Sequence, residues 1–121
     1  MTPKNLLMVS VLALGHFSSL PVLSADMTCH LSVSGGNVVG NGTSYCFGQD
    51  FSFGGSTSGR WSITNITKSI DKIDWRKGCS AGLSCTVTVH AYTINKGEAY
   101  IHYDDGSIEF VEATMEYETG F

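Results

Sequence analysis

Apolar and polar positions alternate with period two along most of the chain beyond its N-terminal segment, which is the pattern of half-buried strands. Met27–Val33 and Thr43–Phe47 are short stretches of this kind, and each holds one cysteine. Arg60–Ile66 sets Trp61 and Ile63 against Ser62 and Thr64. Before it, Gly54-Gly55-Ser56-Thr57-Ser58-Gly59 reads as a flexible loop. Ile66–Trp75 carries two periods at once: Ile66, Ile70 and Ile73 fit helical spacing, while Ile73 and Trp75 fit a strand. A short strand is the expectation there. Three longer strands follow at Ser84–Ile94, Glu98–Asp104 and Ser107–Glu118. Asn95-Lys96-Gly97 and Asp105-Gly106 join them, and both are hairpin signals.

The two hairpins imply a register. With Ile94 opposite Glu98, Ala91 meets Ile101 and Val89 meets Tyr103 on one face. Tyr92 with Tyr100 and His90 with His102 then share the other face. A two-residue turn at Asp105-Gly106 sets Tyr103 against Ile108 and His102 against Glu109. In the last strand the apolar phase passes from Ile108 and Phe110 to Val111, Ala113, Met115 and Tyr117, and a β-bulge near Phe110-Val111 would absorb the switch. Glu112, Glu116 and Glu118 alternate outward, as on an edge that discourages intermolecular pairing.

The expected fold is therefore all-β: an antiparallel sandwich or small barrel with a C-terminal three-stranded meander. Cys46 followed by the strand residue Trp61 resembles an immunoglobulin-like domain over those few positions. The penultimate strand holds no cysteine where such a domain would place its second one. The short turn after Ile94 also favours a hairpin within one sheet over a connection between sheets.

The N-terminus reads differently. Lys4 precedes a nine-residue apolar run, Leu6–Leu14, interrupted only by Ser10. That run is shorter than the roughly 20 residues needed to cross a bilayer. Pro21 and the small residues near Ala25 complete a secretory signal, residues 1–25, with cleavage after Ala25 and a β domain over 26–121. No later stretch reaches membrane-spanning length. All four cysteines (Cys29, Cys46, Cys79, Cys85) fall beyond the leader, and an even count in a short exported chain reads as two disulfides. Spacing favours Cys29–Cys46 and Cys79–Cys85. A four-thiolate zinc site is excluded because no two cysteines are two to four residues apart.

Charge narrows the function. Charged residues make up 15% of the chain, below the roughly 25% of typical soluble domains. The formal net charge of −4 argues against nucleic acid, which needs phosphate-neutralising surface. Basic residues gather between Arg60 and Lys77, and every charged residue from Glu98 onward is acidic.

Gly78-Cys79-Ser80-Ala81-Gly82 matches the G-x-S-x-G nucleophile elbow, but that motif needs a strand-to-helix turn in a parallel sheet. Small residues in a disulfide loop account for it. Asn41-Gly42-Thr43 and Asn65-Ile66-Thr67 are glycosylation sequons. Trp75-Arg76-Lys77 places an aromatic beside two cations, a composition enriched at interface hot spots. Tyr92 and Tyr100, as an exposed cross-strand pair, could stack on a sugar or a partner. In the register above His90, His102 and Glu109 form one row across three strands, which could hold zinc if the side chains converge to about 2.0–2.2 Å from the ion. A solvent-facing row with Glu109 stabilising protonated His102 explains the same residues.

No catalytic set and no cofactor is expected. The sequence reads as a secreted or periplasmic, non-enzymatic binding domain for an extracellular or periplasmic protein or glycan. Its contact surface would comprise Trp75, Arg76, Lys77 and the Cys79–Cys85 loop. The alternatives are an inhibitor of a foreign lysozyme or protease, with that loop as the plug, and a structural subunit of a surface fibre.

Overall fold

A computed structural model describes residues 24–120. The expected leader lies outside the described residues apart from Ser24 and Ala25. Among the described residues eight strands form: β1 (Asp26–Ser32), β2 (Asn37–Val39), β3 (Tyr45–Gln49), β4 (Ser56–Thr64), β5 (Ile70–Trp75), β6 (Ser84–His90), β7 (Ile94–Tyr103) and β8 (Ile108–Glu118). Among the described residues there is no helix. The strands make a three-stranded sheet, β1-β4-β6, and a five-stranded sheet, β2-β3-β8-β7-β5. The second sheet is mixed, because β3 runs parallel to β8 while the other pairs are antiparallel.

Alternation decides which residues face inward. Met27, Cys29 and Leu31 of β1, Trp61 and Ile63 of β4, and Val89 of β6 are buried on one sheet. Ala99, Ile101 and Tyr103 of β7 and Val111, Ala113, Met115 and Tyr117 of β8 are buried on the other, and all join one hydrophobic cluster. The disulfides are Cys29–Cys46, which links the two sheets inside this core, and Cys79–Cys85, which closes the β5–β6 loop.

Several expectations change. Ser56–Gly59 is strand rather than flexible loop, because β4 is the central strand and its backbone groups pair with both β1 and β6. Ladder bonds on two sides outweigh the weak strand propensity of Ser and Gly. Gly59 sits where the sheets approach closely: a Cβ there would lie 2.7 Å from Met115 and from Val89. The double period of Ile70–Trp75 resolves into a strand with a register irregularity between Ile70 and Lys72. The extra residue at Asp71 lets Ile70, Ile73 and Trp75 all turn toward the core.

The largest correction concerns Ser84–Ile94 and Asn95-Lys96-Gly97. The chain does not make a hairpin at Gly97. It leaves β6 at His90, turns through Ala91-Tyr92-Thr93 and enters the other sheet as β7. Tyr92 takes a left-handed backbone there, with φ of 60°. Asn95 fixes the turn: its Oδ1 accepts from His90 N at 3.0 Å, and its Nδ2 donates to His90 O at 3.1 Å and Met115 O at 3.2 Å. Gly97 lies inside β7.

The last hairpin is also one residue out of the expected register. His102 pairs with Ile108, and Gly106, with φ of 90°, closes a three-residue turn through Gly106 N donating to Tyr103 O at 3.0 Å. No bulge occurs at Phe110-Val111, since β7–β8 pairing is continuous from Ile94–Glu116 to His102–Ile108. Instead Ile108 and Phe110 face outward and Glu109 shares the inward phase of Val111. Finally β8 is not an edge, being flanked by β3 and β7.

Candidate functional site

The outer face of the five-stranded sheet carries the most conspicuous side chains. Register places Tyr100 opposite Phe110 and His102 opposite Ile108, with Asp74 and Lys72 completing the rows on β5. The Tyr100 and Phe110 rings are 5.1 Å apart and tilted by 48°. The Arg76 guanidinium lies 5.8 Å from the Tyr100 ring centre, within cation–π range. Ile108 is 58% exposed and Phe110 44%. Four adjacent positions thus present two aromatics, an isoleucine and an imidazole to solvent, beside a cation. Farther along β7, Lys96 pairs with Glu112 at 3.1 Å, which relieves the like charges of Glu98 and Glu112 facing each other.

The structure redistributes the expected site residues. Trp75 is buried at 7% exposure and its Nε1–H donates to Gly82 O at 2.9 Å. It therefore braces the Cys79–Cys85 loop from beneath instead of offering a surface. Arg76 and Lys77 are exposed, and Arg76 joins Tyr100. Tyr92 and Tyr100 do not pair, since Tyr92 sits in the β6–β7 turn with its hydroxyl donating to Thr119 O. Sequence reasoning missed Phe110 and Ile108, because the presumed bulge had assigned them to the core phase.

The proposed metal row is dispersed. His90 belongs to the three-stranded sheet, His102 to the outer face of the other sheet, and Glu109 faces inward opposite Ile101. Its two carboxylate oxygens accept from Tyr103 Oη at 2.7 Å and from Ala25 N at 2.9 Å. Burial beside this carboxylate pushes the Tyr103 hydroxyl up to about 12. Among the described residues no group of three His, Cys, Asp or Glu side chains could share a metal ion.

Ser80 of the elbow-like string lies in the exposed disulfide loop, between two strands and without a helix to follow. Asn41 and Asn65 of the sequons are both exposed and both bonded: Asn41 to the backbone N and O of Leu31 and Asn65 to Asp26. A further polar cluster was not foreseen. Asp50, 3% exposed, accepts from Tyr117 Oη at 2.6 Å, Ser52 Oγ at 2.8 Å and Thr119 Oγ1 at 3.0 Å. The Tyr117 bond above all, and then the Ser52 and Thr119 bonds, hold this carboxyl at about 2 against the opposing effect of burial. These bonds tie the β3–β4 loop to the end of β8. A shallow groove of about 350 Å³ opens beside Trp61, between Lys77, His90 and Lys96.

No family model matches the chain, and no similar curated protein or solved structure was found.

Proposed function

We propose that this chain is an exported, non-enzymatic binding domain that recognises a protein or glycan outside the cytoplasm through the outer face of its five-stranded sheet. The observation that carries the reading is the Tyr100–Phe110 pair with Ile108 and Arg76 beside it. Contiguous exposed apolar patches are a feature of interaction surfaces, and aromatic and Arg side chains are enriched at their hot spots. Two disulfides are compatible with a secreted or periplasmic location, and no helix among the described residues is long and apolar enough to cross a membrane. The scaffold reads as a two-layer sandwich with an immunoglobulin-like arrangement. Its support is the sheet-changing β6–β7 connection and the interior place of β7, between β8 and β5.

The test is capture of partners from the native surroundings, with glycan binding in parallel, using wild type, Phe110→Ser and Arg76→Ala. Both variants should fold, as Phe110 and Arg76 lie outside the core, and both should lose the partner. Equal recovery by all three proteins rejects this face.

Inhibition of a foreign hydrolase is the second reading. The β5–β6 loop favours it, being exposed at Leu83, closed by Cys79–Cys85 and braced by Trp75, so little entropy would be lost on plugging an active site. A panel of lysozyme and protease assays at micromolar protein decides it. The fibre-subunit reading is less favoured because the outer edge of β1 is covered. Cys29 N donates to Thr43 O and Gly42 N to Cys29 O, while the Asn41 amide occupies Leu31.

A further inference from the structure

The carboxylate of Glu109 reaches the chain segment that precedes β1. It faces inward on β8 and accepts one bond from Tyr103 Oη and one from the backbone nitrogen of Ala25. The ion pairs among the described residues are Lys68–Asp105 and Lys96–Glu112, so no side-chain cation answers Glu109. A cationic donor to a carboxylate makes a stronger bond than a neutral one at the same place. Ala25 is itself buried, 7% exposed within the core cluster, whereas Ser24 before it is exposed.

We propose that the mature chain begins at Ala25, and that its free α-ammonium is the missing cation of Glu109. This deepens the export reading and rests on it. Hydrolysis of the Ser24–Ala25 amide by the leader-removing protease of the export machinery adds one water. The carboxylate leaves on Ser24, and the amine on Ala25 takes a proton at neutral pH. The nitrogen that donates to Glu109 as an amide then becomes a charged donor at the same place, and charge-assisted bonds are the stronger kind. This start moves the cut one residue upstream of the bond the sequence pattern favours: it puts Val22 and Ser24 at the two recognition positions in place of Leu23 and Ala25, and Ser24 is still a small residue beside the cut. Cleavage one residue later would remove both the buried methyl group and the donor to Glu109. Because Ala25 is packed away in the folded domain, the cut must precede folding, as export of an unfolded chain requires.

The experiment exports the full-length precursor from a secreting host and reads the product by intact mass and N-terminal sequencing. The expected first residue is Ala25. A product beginning at Asp26 or elsewhere past the leader overturns this inference and leaves the export reading intact. A chain that retains the leader overturns both. On the product beginning at Ala25, acylation of the α-amine at pH 7 is followed by mass spectrometry of the N-terminal peptide. Pairing that raises the amine by about one pK unit should slow the reaction about tenfold relative to Glu109→Gln and to the urea-unfolded wild type. Equal rates in folded and unfolded wild type overturn the ion pair without need of the variant.

Discussion

The indole of Trp61 in β4 packs against Gly97 of β7 so closely that a Cβ on Gly97 would fall 2.4 Å from the ring. The two sheets meet there with no side chain between ring and strand. Gly97→Ala should therefore overpack the interface and cost about 1–3 kcal/mol. Denaturant unfolding followed by Trp fluorescence measures this. An unchanged midpoint would show that the contact is loose.

Asn95 acts as a piece of strand for His90, bonding both of its backbone groups and reaching Met115 of the other sheet. Replacing Asn95 with Ala should destabilise the domain by about 1–3 kcal/mol, since Met115 O is left without this donor. Hydrogen exchange should rise first at His90 and Tyr92. Uniform loss of protection across both sheets would speak against a local role.

Asp50 gives the fold an acid limit. Its carboxyl sits at about 2 in the folded chain against 3.8 ordinarily, so the unfolded state binds its proton first. The stabilisation is complete above about pH 4 and is lost as pH falls through about 2. Asp105, held at about 2 mainly by its Ser107 bonds, titrates in the same window. Thermal melts from pH 6 to 2 should show a shallower acid decline in Asp50→Asn than in wild type, with the remainder due partly to Asp105. Identical slopes would place Asp50 outside the acid response.

The two disulfides should differ in worth. Cys29–Cys46 closes 17 residues of chain inside the core, and Cys79–Cys85 closes 6 at the surface. Loop-closure entropy gives about 3 and about 2 kcal/mol respectively. Cys-to-Ala pairs at each bridge, compared by urea midpoint, check the order. The Cys79–Cys85 variant should also change Trp75 emission, because Gly82 would no longer be held over the indole.

Much of the fold was legible in the chain. Period-two alternation located seven of the eight strands within a few residues and identified Met27, Trp61, Val111 and Tyr117 as apolar positions in alternating runs. Cysteine spacing gave both bridges, because short loops close at the least entropic cost. What failed was pairing. Local turn signals could not distinguish a glycine that bends the chain from Gly97, which is small because Trp61 of a distant strand presses on it. Without that partner the chain seemed to fold back at residue 97, and the Tyr92–Tyr100 pair and the His90–His102–Glu109 row followed from the error. The outer face of the sheet shared that fate. Ile108 and Phe110 are as apolar as core residues, and only the register of β7 against β8 decides that they face water while Glu109 faces in. A one-residue slip costs nothing in the sequence pattern, yet it exchanges the two faces of a strand, so the sheet partners alone settle which residues meet solvent.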